Sequence, residues 1–172
     1  MIQYNNTKEY LRGLINLAYM HVGLPLLLFA WIYLESTSGQ LSGYLGKVMS
    51  LVVFFLCLLI TFVSVYIGQQ YFNRSIKLAK QQTTLREKLA VYRQAVSTKF
   101  FSFSIPSLLV AIGLFLTDND LFAILFAILI VLFSINNPSA RKIAKELGLK
   151  DPEREIVLKG IDFPEQGAYG SS

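Results

Sequence analysis

A single cysteine, Cys57, and a single histidine, His21, stand among 172 residues, and charged side chains make up only 16% of the chain. One cysteine excludes a disulfide within the chain and any Cys-x-x-Cys motif. One histidine excludes a His-Glu-x-x-His helix, and His21 has no Cys, Asp or Glu at metal-ligand spacing, so no metal site and no cofactor is expected. Neither a Gly-x-Ser-x-Gly elbow nor a glycine-rich phosphate loop occurs, which leaves hydrolase and nucleotide chemistry without machinery. The shortage of charge is the largest departure, because soluble domains carry about 25%.

What fills the space is apolar. Hydrophobic residues reach 53% and the mean hydropathy is +0.48. They gather into four runs, residues 14–34, 48–67, 100–117 and 121–137, none of which contains Asp, Glu, Lys or Arg. About 20 helical residues cross an approximately 30 Å hydrocarbon layer, so the first two runs span upright; the last two cover about 25–27 Å and need a thinner bilayer or neighbouring helices. Between them, Thr117-Asp118-Asn119-Asp120 is too polar for membrane depth and predicts a tight turn. Asp118, Asn119 or Asp120 is expected to cap the following helix rather than bind a cation, since no further oxygen ligands stand nearby. The first run is longer than a signal-peptide core and is followed by Ser36-Thr37-Ser38, not an Ala-x-Ala site, which predicts a retained anchor.

Basic residues set an expected orientation. Fifteen of the 16 Lys and Arg fall in three segments: before the first run, between the second and third, and after the fourth. Only Lys47 lies in the 35–47 loop, and 118–120 has none, so four passes with both termini cytoplasmic satisfy the positive-inside rule. A bacterial inner membrane is the expected location.

Residues 69–99 are too polar for lipid yet keep helical spacing. Phe72, Ile76 and Ala79 form one stripe; Leu85, Leu89, Tyr92 and Val96 form another. Thr84-Leu85-Arg86-Glu87 has capping-box form between them. Two arms of matched length, 69–82 and 85–99, therefore predict a cytoplasmic helical hairpin that projects from the membrane, in competition with arms lying flat in the interface. Seven basic residues against the single acid Glu87 give this segment a net +6. Arg74, Lys77, Lys80, Arg86, Lys88 and Arg93 are the candidate contacts to anionic lipid or a cytoplasmic protein.

Beyond 137, Asn136-Asn137-Pro138-Ser139 starts a short helix that Gly148 ends, and Asp151-Pro152-Glu153 reads as N-cap, N1 proline and acidic first turn of another. Ile143, Leu147, Leu149, Ile156, Val157 and Leu158 supply an apolar face that must dock somewhere. Six Lys and Arg against six acids after residue 137 exclude nucleic acid as a partner. The organisation expected is a transmembrane unit over 1–137 including the hairpin, C-terminal helices over 138–160 and a flexible tail over 161–172. The fold class is all-α: an integral membrane four-helix bundle with a projecting hairpin and short C-terminal helices.

Inside the runs, the candidate polar residues are Asn16, His21, Ser104 and Ser107. His21 is expected to bond Asn16, Tyr19 or another helix, and the serines to bond across helices or satisfy a carbonyl freed near Pro106. No catalytic residue emerges, so the chain reads as a non-enzymatic accessory or scaffolding membrane protein. The alternative is a subunit of an oligomeric channel or transporter, with those polar residues facing a shared axis in a homo-oligomer.

Overall fold

Six helices carry the regular structure of the computed structural model, which describes residues 4, 6–39 and 43–163. They are α1 (Thr7–Thr37), α2 (Lys47–Lys80), α3 (Leu85–Thr117), α4 (Leu121–Asn136), α5 (Ala140–Leu147) and α6 (Glu153–Lys159). Among the described residues there is no strand, only a bridge between Asn6 and Asp162.

Three of these helices, α1, α2 and α3, are long and apolar enough to cross a membrane. With 16 residues α4 falls short alone, and it reaches that length only with α5, from which it is bent by 76°. The apolar stretches are largely exposed in the single chain, as suits helices that could meet lipid. Half of the most apolar stretch of α3 is buried, against 22% for α1 and 17% for α2. Met20, Leu27, Trp31, Phe55, Phe62 and Tyr66 all point outward. Water would not tolerate so continuous an apolar surface on a monomer.

Helices α2 and α3 have 34 and 33 residues, about 50 Å each, which exceeds the hydrocarbon layer by about 20 Å. Their register is antiparallel: Cys57 meets Leu109, Ser64 meets Ser102, and Phe72 meets Tyr92 and Lys99. Gly68 permits the close approach, since a Cβ there would collide with the Ser102 side chain. Pro106 lacks an N–H, so the carbonyl four residues earlier, Ser102, loses its helical donor. The Ser64 hydroxyl of α2 replaces it, donating at 2.9 Å. Replacing Ser64 by alanine should therefore cost about 1 kcal/mol of thermal or denaturant stability in detergent.

Two cores form along α3. One joins Phe29 and Ile32 of α1, Cys57 of α2, Val110 and Leu114 of α3, and Phe122, Phe126 and Leu129 of α4. Phe29 stacks on Phe126 with ring centroids 3.9 Å apart. The second core unites the stripes read from the sequence. Phe72, Ile76 and Ala79 pack with Leu85, Leu89, Tyr92 and Val96, and onto them close Tyr10 and Leu14 of α1 and Ile143, Leu147, Leu149 and Val157 of the C-terminal helices.

The caps follow local chemistry. Thr84 and Glu87 form the reciprocal capping box, and its bonds hold the Glu87 carboxyl below its usual range. Asp118 ends α3 in the left-handed region, at φ 50°, and Asn119 Oδ1 accepts from Leu121 N at 3.0 Å. Gly148 ends α5 at φ 64°, as its position in the sequence requires.

Three expectations need correction. Pro152 is the N-cap of α6, not its first helical residue, and no side chain caps that helix. Leu158 faces outward, because Ile156, Val157 and Leu158 are consecutive and consecutive helical residues cannot share one face. The flexible tail was expected from 161, but residues 161–163 are docked: Thr7 N donates to Ile161 O at 3.3 Å, Asp162 bridges to Asn6, and Arg86 lies over the Phe163 ring. The rest of that tail, from 164, lies outside the described residues.

Candidate basic cleft

The last turns of α2 leave the apolar run at Ile67 and turn polar at Gln69, while α3 reaches Lys99 just before its own apolar run begins at Phe100. Where these two ends meet, with α5 beside them, lies a cleft of about 550 Å³. Its lining includes Gln69, Asn73, Arg74, Lys77 and Lys80 of α2, Lys99 of α3 and Glu146 of α5. Arg74, Lys77 and Lys80 are exposed at its rim.

Lys99 is only 7% exposed. Its Nζ lies 4.4 Å from the centre of the Phe72 ring, a cation–π contact. Among the described residues no carboxylate forms an ion pair with it. Burial pushes the ammonium down to about 8, Lys142 adds to the fall and Glu146 opposes it. The unfolded chain keeps this proton to about its ordinary value of 10.5, whereas the folded chain releases it near 8. Between those values the unfolded state binds more protons, so this group makes stability rise with pH. The measured difference in stability between the native chain and Lys99→Gln should therefore grow in favour of the native chain from about pH 8 to about pH 10. A difference independent of pH would contradict a buried, unpaired ammonium.

The single acid of the cleft is already engaged: Glu146 accepts a 2.6 Å bond from the Tyr92 hydroxyl. Burial first, and then this bond, push the Tyr92 phenol far above its ordinary value. In the same core, Tyr10 donates to Leu89 O at 2.8 Å and its phenol is pushed up by burial, with Arg93 opposing.

The six basic residues expected to act together are split by the fold. Arg74, Lys77 and Lys80 share the cleft. The other three lie elsewhere, each with a contact of its own: Lys88 pairs with both carboxylate oxygens of Glu153 at 2.8 Å, the exposed Arg86 lies 5.2 Å from the Phe163 ring centre and the half-buried Arg93 5.2 Å from that of Tyr4. Lys99 and Glu146 are cleft residues that the sequence reading passed over. A signal for Lys99 was present: it extends the buried stripe Leu85, Leu89, Tyr92 and Val96 by one more helical step, a position where a charge must be buried.

The four intramembrane polar candidates do not bond to one another. Asn16 is exposed. His21 Nδ1 bonds to Leu17 O at 2.8 Å, a carbonyl on its own helix rather than Asn16, Tyr19 or a neighbouring helix, and its ring packs edge-on against Phe101. Ser107 donates to Phe103 O at 2.8 Å, and Ser104 is buried. Among the described residues no group of three or more His, Cys, Asp and Glu could hold a metal ion. Comparison with protein-family models, curated proteins and solved structures finds no match.

Proposed function

We propose that this chain is a small multi-pass membrane protein that serves as an accessory or scaffolding component, contacting anionic lipid or a cytoplasmic partner through its basic end. In this reading the four apolar runs span the bilayer of a bacterial inner membrane as a four-helix bundle. Both termini, the helical hairpin of residues 69–99 and the C-terminal helices lie on the cytoplasmic side. The observation that carries the reading is the exposed trio Arg74, Lys77 and Lys80 gathered at one cleft at the edge of the apolar surface, whereas Lys88 is paired with Glu153 and Arg86 and Arg93 lie over aromatic rings. Each cation near an anionic surface contributes about 1 kcal/mol.

The hairpin does not stand alone. α5, α6 and the start of α1 pack into one core with it, which supports a docking platform rather than a separate mobile arm. The test uses the full chain in detergent micelles with added phospholipid. Its thermal midpoint should rise with an anionic phospholipid and not with a zwitterionic one, and the rise should shrink at high salt. Tags at the two ends should report from the same side in intact cells. Midpoints that respond equally to both lipids, or tags on opposite sides, would sink the reading.

A further inference from the structure

We propose that the cleft between α2, α3 and α5 is a discrete site for one phosphate-bearing group, which Arg74, Lys77 and Lys80 reach from the rim and Lys99 from the floor. The proposal rests on the membrane reading above and names the ligand class that the basic end takes.

Four cations and one carboxylate line a concavity of about 550 Å³, room for a phosphorylated headgroup. The carboxylate, on Glu146, is held by the Tyr92 hydroxyl. A buried ammonium is costly unless an anion or a set of acceptors meets it. Lys99 has the face of Phe72 and no carboxylate within ion-pair distance among the described residues, Glu146 acting on it only from farther off, so an anion in the cleft would meet a charge the fold leaves without a direct partner. Concave walls of low dielectric strengthen the positive field, which favours a ligand of high charge density over a single carboxylate. A phosphate supplies several acceptor oxygens, matched to the planar fork of Arg74 and the point charges of the lysines.

The depth of the site argues for a membrane source. Gln69 stands two residues past the second apolar run and Lys99 one residue before the third, so the floor lies where the spans reach the headgroup layer in the proposed topology. Phosphate in solution shares the same chemistry, and the experiment separates the two.

The experiment compares two variants of equal net charge, Arg74→Gln/Lys77→Gln in the cleft and Lys150→Gln/Arg154→Gln on the exposed surface of the C-terminal segment, with Lys99→Gln as a third. Each full-length protein is titrated in zwitterionic nanodiscs doped with phosphatidylglycerol, and separately with inorganic diphosphate. Binding is read by native mass spectrometry and by thermal shift. The cleft pair should lose at least tenfold in affinity and Lys99→Gln about as much, while the surface pair changes less than twofold. Arg74 and Lys77 are exposed, so loss of folding does not mask that pair. Retention of the lipid with no response to diphosphate assigns a membrane headgroup; response to diphosphate with no lipid retained assigns a soluble phosphate compound. Either outcome with the cleft dependence sustains the site. Equal losses in both pairs would overturn it while leaving general attraction to anionic surfaces intact, and no anion binding by the native chain would overturn both.

Discussion

Ile143→Ala is expected to detach the C-terminal helices from the rest of the fold while leaving the four longer helices in place. Ile143 is fully buried in the core that also contains Leu89, Tyr92, Ile76 and Val157. Shortening a buried isoleucine to alanine costs about 2–5 kcal/mol, the lost transfer energy plus the cavity left behind. That is large for α5, a helix of 8 residues that could not persist alone. The unit that opens should therefore be local: α5 and α6, tied to the arms by Lys88–Glu153 and Tyr92–Glu146, leave together. Limited proteolysis of the full chain in detergent should show cleavage between 138 and 160 at least tenfold faster, with far-ultraviolet dichroism reduced only slightly. Unchanged proteolysis would mean that the docking is held elsewhere.

Gly113→Leu is the second large effect and acts at the other core. A Cβ at Gly113 would run into the ring of Phe122, which is fully buried and flanked by Phe54 in an edge-to-face contact. The ring has no room to retreat, so the added side chain forces α3 and α4 apart at their turn. Overpacking of this kind costs about 1–3 kcal/mol, and occasionally more. The thermal midpoint should fall accordingly, and Phe122→Ala in the same chain should restore part of it, because the enlarged side chain then fills the space the ring vacates. If the double variant is as unstable as the sum of the two single ones, the proposed clash is absent.

Much of this was legible in the residues. The stripes at 72, 76, 79 and at 85, 89, 92, 96 are buried because a helix period fixes one face, and the Thr84 capping box forms because its two bonds are local. What escaped was mostly long-range. Nothing in the spacing of Arg86, Lys88 and Arg93 reveals that Phe163, Glu153 and Tyr4 will come to meet them, since those partners lie on other elements. The cleft shared the same obstacle: Lys99 carries a local signal, but its neighbours Arg74 and Glu146 belong to two other helices. Leu158 was misplaced for a simpler reason, as apolar content was read where angular position decides. The start of α6 lies one residue later than the Asp-Pro-Glu pattern suggests, at Glu153.

The seam between the start of α1 and the end of α6 has a bearing on how the chain is assembled. Thr7 is fully buried, its amide donates to the carbonyl of Ile161, and its hydroxyl lies 3.1 Å from that of Ile156. Those acceptors are synthesised far later, 149 residues on in the case of Ile156. A nascent chain therefore leaves Thr7 without these two acceptors until translation has passed residue 161, and only then can the ring of contacts be closed.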